Sequence, residues 1–423
     1  MKVLWLVNII MPEACECFDI VSSNTGGWLV GTYNGIKNSV DRLVIVTTYN
    51  DLSVKHCVID NTEYYLVPQN TAKSQFEKII ASSEFDVIHI FGTELEHFKT
   101  MVSLCDLSKT IVSIQGLTSI CVNHFLDGIP YGYCRKSKIR SFICRYLHAE
   151  RPLYDLYLGF AKMAKREGDY VGNVKSFACR TRFDKAYVKQ VVPNAKCFHQ
   201  NETLRGSFYT DETWSFENCD NHTIFIPQAH YPIKGFHVFL EALHYVKNRF
   251  PDVKVYIAGP GLNIAPRTGL RRIKDNFTHG YFNYCKSIIS KYNLYDSISF
   301  TGPLNEVQMK KQMLRANVFV LPSLMENSPN SLGEAMILGV PCAASYVGGI
   351  PDMLTDGTEG ILFHSTDAHL QADAIIRIFE NPELATFFSK NAKDKATRIF
   401  DRKQNADALI RIYKSIKNDY TME

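Results

Sequence analysis

The chain has 423 residues, of which 46% are hydrophobic and 21% are charged. This length is too great for one ordinary core and predicts two domains of similar size in a globular protein. A formal net charge of +4 is too small to indicate a nucleic-acid partner, and we expect none. No apolar run approaches the roughly 20 residues of a membrane-spanning helix, and the N-terminal MKVLWLVNII lacks the cleavage site of a signal peptide.

Helix-like and strand-like runs alternate along the chain, which predicts parallel sheets with helical crossovers. In the first half the predicted strands are 3–9, 42–49, 86–92, 110–116 and 169–174, with helices near 27–38, 71–83 and 94–105. In the second half they are 223–227, 253–259, 297–302, 318–323 and 341–345, with helices at 235–250 and 305–316. After GILF (360–363) the chain is predicted to be helical to its end.

The polar, turn-rich stretch RGSFYTDETWSFENCDNH (205–222) is the predicted linker. We therefore predict an α/β protein with two doubly wound, Rossmann-like domains, residues 1–208 and 209–423, whose last helix can pack back on the first domain. In such folds ligands bind at the carboxyl ends of the strands. The 12 cysteines are scattered through apolar or mixed stretches, which favours reduced core residues in a cytoplasmic protein over a disulfide framework.

The stretch ENSPNSLGEAMILGVPCAASYVGG (326–349) places one glutamate after a predicted strand and another inside the next helix. Ser331-x-x-Glu334 fits a capping box at the helix start. Glu326, Glu334 and the amides of Asn330, Ser331 and Leu332 are also expected to face a crevice between the domains. Carboxylates accept from sugar hydroxyls, and amides at a helix start bind phosphate. The pattern therefore fits both a structural helix start and a site for a phosphate-bearing polyol.

Two shorter features are compatible with phosphate binding. Lys234-Gly235 lies between a predicted strand and helix, where the ammonium could reach a diphosphate and the glycine permits a tight turn. It also fits a solvated lysine before a helix. Gly26-Gly27 follows the first strand and would let backbone approach phosphate, or it is an ordinary loop. No G-x-G-x-x-G follows that strand, so a dinucleotide fingerprint is not present.

These residues carry a resemblance to a known family. ENSPNSLGEAMILGVPCAASYVGGIPDMLTDGTEGILF (326–363) is similar to the E-x7-E region of retaining glycosyltransferase family four, the group 1 enzymes with the GT-B fold of two Rossmann-like domains facing a central cleft. Lys234-Gly235 resembles that family's donor-phosphate lysine, and Gly26-Gly27 resembles its glycine loop. Four further segments resemble a bacterial branch of the family that builds surface polysaccharides: HIFGTELEHF (89–98), SIQGLTSI (113–120), CRTRFDKAYV (179–188) and HQNETLRGSFY (199–209).

The resemblance implies a role for each matching residue. Glu334 would bind the ribose hydroxyls and Glu326 the donor sugar, while Lys234 and the amides of residues 330–332 would hold the diphosphate and Gly26-Gly27 would close over it. It implies transfer of a hexose or related sugar from a nucleotide sugar to a saccharide or lipid-linked acceptor, with same-face attack, no cofactor and no metal.

Two positions depart from the family pattern. Gln228 stands where many members have a phosphate-binding arginine; it remains a candidate donor contact, and Arg182 or Arg271 could supply the charge. Gln115 stands where many members have a catalytic histidine, and an amide cannot act as a general base. His89 is the nearby substitute, although a histidine on a buried strand also fits a core position. A sugar-nucleotide epimerase or hydrolase of the same fold, and a non-catalytic sugar-nucleotide-binding member, therefore stay open.

A basic stretch indicates a possible membrane contact. Residues 133–166, YCRKSKIRSFICRYLHAERPLYDLYLGFAKMAKR, hold nine Lys and Arg against two acids, interleaved with aromatic and aliphatic residues. Such a segment fits either a solvated helical face or peripheral binding to the anionic inner face of the cytoplasmic membrane, where a lipid-linked acceptor would be found.

Overall fold

The computed structural model of the protein describes residues 1–21, 26–146, 150–260 and 280–421. Contacts divide the chain into two compact units. Unit 1 consists of Met1–Ser119, Met163–Gly206 and Ile399–Glu423, and unit 2 of Ile120–Lys162 and Ser207–Arg398. One boundary falls at Gly206, inside the predicted linker. Residues 120–162 belong to unit 2 and residues 399–423 to unit 1, whereas a single division at residue 208 would place the first segment in the N-terminal domain and the second in the C-terminal domain.

The described part of unit 1 contains an eight-stranded sheet with the order β3-β4-β2-β1-β5-β6-β7-β8. All neighbouring strands are parallel except β3 and β4, which are antiparallel. The strands are β1 (Lys2–Val7), β2 (Arg42–Tyr49), β3 (Lys55–Ile59), β4 (Thr62–Pro68), β5 (Val87–Phe91), β6 (Thr110–Ser113), β7 (Ser176–Cys179) and β8 (Lys196–His199).

The described part of unit 2 contains a six-stranded, fully parallel sheet with the order β11-β10-β9-β12-β13-β14. Its strands are β9 (Asp220–Ile226), β10 (Lys254–Ala258), β11 (Ile298–Gly302), β12 (Ala316–Leu321), β13 (Cys342–Ser345) and β14 (Gly360–Phe363). Strand β12 is buried over its whole length and strand β9 over its last four residues, as expected when helices cover both faces of a parallel sheet.

The described helices connect the strands and form the C-terminal region. They are α1 (Pro12–Cys17), α2 (Gly27–Ile36), α3 (Ala72–Ala81), α4 (Glu96–Leu104), α5 (Thr118–Cys121), α6 (Lys138–Tyr146), α7 (Leu153–Val171), α8 (Arg182–Val191), α9 (Phe236–Arg249), α10 (Tyr281–Lys291), α11 (Glu306–Arg315), α12 (Asn330–Ile337), α13 (Ile350–Met353), α14 (Ala368–Glu380), α15 (Pro382–Ile399) and α16 (Arg402–Thr421). None of the helices among the described residues is both long and apolar enough to cross a membrane.

The predicted strand at 169–174 is wrong. Its first residues form the end of helix α7, which continues to Val171, and the strand of this region is β7, which starts at Ser176. A short apolar run of this kind cannot be assigned to helix or strand by periodicity alone.

The core of unit 1 includes both ends of the chain. Trp5 Nε1 on β1 donates to the hydroxyl of Tyr413 on α16 at 2.8 Å. That hydroxyl also lies 2.6 Å from Nδ1 of His89 on β5, and all three side chains are fully buried. Helix α16 also packs on α2. The last helix therefore completes the same core that the first strand begins.

Candidate functional site

The strand order of unit 2 reverses between β9 and β12. The chain leaves β9 for β10 and β11 on one side, and leaves β12 for β13 and β14 on the other. In open α/β sheets the crevice for a ligand lies outside the carboxyl ends of the strands at such a reversal. The loop after β9 carries Lys234 and the loop after β12 carries Glu326, so two of the predicted site residues lie beside the reversal.

Gly235 allows these two loops to touch. Its φ is +66°, and a Cβ atom at this position would lie 1.9 Å from the carbonyl oxygen of Pro322. The Leu324 amide donates to the Ile233 carbonyl at 2.8 Å, which fixes the same contact by a backbone hydrogen bond. A side chain at position 235 would separate the loops, so the predicted tight turn after Lys234 is confirmed.

Lys234 and Glu326 form an ion pair at this contact. Nζ lies 2.6 Å from Oε1, and the side chains are only 14% and 13% exposed. The same carboxylate oxygen accepts from the hydroxyl of Ser323 at 2.7 Å. Burial disfavours a charged ammonium, but the Glu326 carboxylate and the Tyr231 phenol outweigh it and hold the pKa of Lys234 above its ordinary value. Lys234 is therefore a permanent cation at neutral pH.

The glycine pair after β13 fixes the backbone of Glu326. The Gly349 amide donates to the Glu326 carbonyl at 3.1 Å. Gly348 has φ +50°, and a Cβ atom there would lie 1.8 Å from the same carbonyl oxygen. The VGG segment, which belongs to the E-x7-E resemblance, thus sets the position of the first glutamate through close backbone contact.

Helix α12 carries the second glutamate, but the predicted capping box is wrong. The helix begins at Asn330, and its N-cap is Pro329, which makes no side-chain cap hydrogen bond. Ser331 lies inside the first turn because the N-cap is two residues before it. The Leu332 amide donates to the Pro329 carbonyl at 3.0 Å, so it is used within the helix. Glu334 is 3% exposed.

Gln228 lies in the loop after β9, where its Nε2 is 3.3 Å from Nε2 of His230. Burial, and then the positive charge of Lys234, lower the pKa of His230. Neither Gln228 nor His230 therefore supplies a second permanent cation in this loop. Of the two arginines suggested as replacements, Arg182 is the first residue of α8 in unit 1, and Arg271 lies outside the described residues.

Gly26 and Gly27 lie in unit 1 at the start of α2. Gly26 is the N-cap with φ +82°, and a Cβ atom there would lie 2.3 Å from the Ile9 side chain. A Cβ atom on Gly27 would lie 2.4 Å from Cγ of Arg205. Packing within unit 1 is thus a sufficient reason for both glycines, and their phosphate-binding role stays a prediction.

His89 has the environment of a core residue. It is fully buried, with Nδ1 2.6 Å from the Tyr413 hydroxyl and Nε2 2.7 Å from the Ser113 hydroxyl. Burial lowers its pKa to about 3. A ring with both nitrogens occupied inside the core is not accessible to a substrate, so the geometry favours a structural role over the predicted catalytic one.

Gln115 belongs to a buried polar network that sequence reasoning did not assemble. Its Nε2 donates to Glu202 Oε1 at 2.7 Å, and Arg180 donates to the other oxygen of the same carboxylate at 2.8 Å. Arg180 also donates to the carbonyl of Gln115. The available signal was the pair of segments CRTR and HQNE, each of which follows a strand at the same edge of the sheet.

Comparison with known proteins agrees with this geometry. Residues 214–395 match the family model described as glycosyl transferases group 1. D-inositol 3-phosphate glycosyltransferase of Mycolicibacterium paratuberculosis (strain ATCC BAA-968 / K-10) is 26% identical over 177 residues, 41% of this chain and 37% of that protein. Alpha-D-kanosaminyltransferase of Streptomyces kanamyceticus is 26% identical over 183 residues, 43% of each chain. The matched region spans about 40% of the length of these relatives.

Solved structures are similar over nearly the whole chain. Sucrose-phosphate synthase from Thermosynechococcus elongatus has a TM-score of 0.65 and 14% identity, covering 98% of this chain and 99% of the other. Anabaena HepE in complex with UDP-glucose has a TM-score of 0.63 and 13% identity, covering 98% and 100%. The protein thus has the predicted GT-B fold, with two parallel-sheet α/β units and a helical C-terminal region.

The predicted family resemblance is confirmed where the family model matches. Residues 214–395 match the model for group 1 glycosyl transferases. This segment contains Lys234, Glu326 and Glu334.

Proposed function

We propose that the protein is a retaining glycosyltransferase. It moves a hexose or related sugar from a nucleotide-diphosphate donor to a saccharide or lipid-linked saccharide, in the synthesis of a bacterial surface polysaccharide. The observation that carries the proposal is the Lys234–Glu326 pair beside the strand reversal of unit 2, within the segment that matches the group 1 family. A buried, permanently charged lysine next to a carboxylate is what recognition of a diphosphate linked to a polyol requires.

Each residue has a defined role in the proposal. Lys234 and the start of α12 bind the diphosphate, Glu326 binds hydroxyls of the donor sugar, and Glu334 binds the ribose. During transfer, negative charge develops on the leaving diphosphate, and a fixed cation and helix amides stabilise such charge best when water is excluded. The sugar is attacked on the face from which the diphosphate departs, so the configuration of the anomeric carbon is retained.

The proposed donor chemistry needs no metal, because Lys234 supplies the charge that a divalent cation would otherwise provide. Binding and turnover of donor are therefore expected to persist in EDTA. A strict requirement for magnesium or manganese contradicts this part of the proposal.

A screen of nucleotide sugars tests the function. Thermal stability is measured with uridine, guanosine, adenosine and thymidine diphosphate sugars, and nucleotide release is then measured for each binder with and without saccharide acceptors. Acceptor-dependent release supports the transferase. Nucleotide release at the same rate without acceptor supports the hydrolase, and conversion of the donor to an isomeric nucleotide sugar without acceptor supports the epimerase. Tight binding with neither release nor conversion of the donor supports the non-catalytic alternative.

The proposal includes peripheral contact with the cytoplasmic face of the membrane through residues 133–166. It is supported by four large side chains that are exposed near helix α6: Tyr131 (79%), Ile139 (73%), Phe142 (71%) and Tyr146 (77%). Residues 128–149 contain Lys and Arg but no Asp or Glu. Exposed aromatic and aliphatic side chains interleaved with positive charge are typical of segments that bind anionic lipid surfaces.

A further inference from the structure

His230 lies in the loop after β9, between the end of that strand and the turn at Lys234, beside the strand reversal of unit 2. Its ring is only partly buried. Its Nδ1 atom, however, is buried and has no hydrogen-bond partner among the described residues. A Cβ atom on Gly259 would lie 3.9 Å from this nitrogen, so it faces the end of β10. Buried polar atoms are nearly always hydrogen-bonded, so an orphaned one at a ligand-binding edge indicates a functional rather than a packing role.

The other ring nitrogen of His230 faces the side-chain amide of Gln228. The two Nε2 atoms are 3.3 Å apart. An amide nitrogen only donates, so Nε2 of the neutral ring accepts this bond and the ring proton is on Nδ1. If the amide rotates by half a turn, its oxygen accepts from a protonated Nε2 instead. Gln228 can therefore bond to the ring in both protonation states, whereas an arginine at this position could only donate.

In the free protein the surroundings of His230 favour the neutral ring. Burial, and then the positive charge of Lys234, hold its pKa below the ordinary value of a histidine. The ring of Tyr231 packs edge-on against it, with 4.7 Å between the ring centroids, and the Glu326 carboxylate from the loop after β12 is paired with Lys234. The charge that acts on the ring is thus positive, and it disfavours a second one beside it.

A diphosphate bound at Lys234 would reverse this balance. Lys234 is close enough to lower the pKa of His230, so phosphates bound to its ammonium are close enough to raise it. They neutralise the ammonium and add negative charge beside the ring. The second positive charge that the family pattern places at position 228 then arises on His230, in the same loop.

We propose that His230 is a donor-binding residue that takes up a proton when the diphosphate of the nucleotide sugar binds, and so supplies a second positive charge for the phosphates. This rests on the proposed glycosyltransferase function. The proton comes from solvent and is bound at Nε2, while Gln228 turns its amide oxygen toward that nitrogen. A ligand that favours the protonated form of a group binds that form more tightly. Donor affinity is therefore expected to fall as the pH rises from the pKa of the free ring to that of the ring in the complex.

The neighbours of His230 do not give the same pH dependence. The pKa of Lys234 is held above its ordinary value, so the ammonium keeps its charge near neutral pH. Burial raises the pKa of Tyr231, so its phenol stays neutral. The terminal phosphate of a bare nucleoside diphosphate does lose a proton near about pH 6. Nucleotide sugars lack that terminal group and are therefore the suitable probes.

The test measures binding of UDP-glucose, UDP-galactose, UDP-N-acetylglucosamine and GDP-mannose by isothermal titration from pH 5 to 9. The control variant is His244→Gln, since His244 is another partly buried histidine of unit 2, with its ring stacked on Tyr292. In the wild type and the control, Kd is expected to rise about tenfold or more over this range, one decade for each unit by which donor raises the pKa of His230. Titrations at neutral pH in PIPES and in Tris, which differ in ionisation enthalpy, are expected to show uptake of about half a proton or more per donor.

His230→Gln is expected to bind donor at every pH with the weak affinity that the wild type has at high pH, and circular dichroism verifies its folding. Gln228→Arg is expected to bind donor tightly at every pH, because it adds a permanent cation and disfavours the protonated ring. Donor binding by the wild type without proton uptake, or an unchanged pH dependence in His230→Gln or Gln228→Arg, overturns the inference while leaving the transferase intact. Loss of the pH dependence in His244→Gln overturns the specific role of His230. If the folded wild type binds none of these donors, the proposed function fails and this inference fails with it.

Discussion

The ion pair between Lys234 and Glu326 gives opposite predictions for the two partners. Without donor, the Lys234 ammonium is bound to the Glu326 carboxylate at 2.6 Å, so an incoming diphosphate must share or replace that carboxylate. Glu326→Gln removes the competing negative charge and is expected to tighten binding of a bare nucleoside diphosphate. A hydrogen bond to a charged group is worth about 1.5–3 kcal/mol. If the diphosphate gains the lower of these two energies once the carboxylate charge is removed, its Kd falls roughly tenfold.

Lys234→Ala is expected to act in the opposite direction. It removes the phosphate contact and weakens diphosphate binding by about tenfold or more. It also leaves Glu326 largely buried without its cation, and breaking a buried pair in this way costs about 3–5 kcal/mol; the residual 13% exposure of Glu326 favours the lower end. Combining Lys234→Ala with Glu326→Gln is expected to recover most of that stability without recovering affinity.

Isothermal titration with uridine, guanosine and adenosine diphosphates measures these affinities, and urea unfolding measures the stabilities. Glu383→Gln, an exposed glutamate in the first turn of α15, is the matched control for the loss of one negative charge. Equal or weaker diphosphate binding by Glu326→Gln, relative to this control, refutes the competition. Turnover of nucleotide sugar is expected to fall in Glu326→Gln even as diphosphate binding improves, because the contact to the donor sugar is lost.

Three further predictions concern stability and membrane binding. Gly235→Ala is expected to lower the free energy of unfolding in urea by about 3 kcal/mol, because of the positive φ and the contact with Pro322. Gly357 has φ +71° but open space around it, so Gly357→Ala should lower that free energy by only about 1–2 kcal/mol. Equal losses in the two variants contradict the packing argument. Since burial lowers the pKa of His89 to about 3, its contribution to stability is complete above about pH 6.5 and is lost as the pH falls toward 3. His89→Gln should therefore lose less stability than the wild type between pH 7 and pH 4 in urea unfolding. An equal loss of stability in the two proteins at pH 7, 5 and 4 contradicts this role of His89. The protein is expected to sediment with anionic but not neutral liposomes. Changing Arg135, Lys136 and Lys138 to glutamine should weaken liposome binding about 100-fold, at about 1 kcal/mol for each residue. Equal binding to neutral vesicles contradicts the proposed membrane contact.

Periodicity predicted the central strands well. The strand Arg42–Tyr49 has the predicted bounds, and the helices at 27–36, 236–249 and 306–315 differ by at most two residues from prediction at each end. These segments are long or strongly apolar, so burial alone decides their structure. The strands β3, β4, β7 and β8 were not predicted. Strands β3, β7 and β8 have only four or five residues, which give too little pattern.

The candidate site was predictable only where chemistry follows a local motif. Lys234 and Glu326 are separated by 92 positions, yet each follows a strand and precedes a helix, so topology alone brings them to one edge. The link from Arg180 to Glu202 and Gln115 depends on side-chain directions across three loops, which no local pattern encodes. The start of α12 departs from the capping-box prediction because its N-cap is Pro329, two residues before Ser331.

The shared core of Trp5, His89 and Tyr413 determines when unit 1 can finish folding on the ribosome. A chain grows at about 5–20 residues per second, so residues of β1 wait tens of seconds for the helix that covers them. The described strands of unit 2 lie between Asp220 and Phe363, and they have been synthesised before Tyr413 emerges. Unit 2 can therefore assemble its sheet while the part of the unit 1 core that α16 covers is still exposed. A ribosome stalled between residues 398 and 413 would hold a nascent chain in which unit 2 is fully synthesised while the core of unit 1 still lacks its last helix.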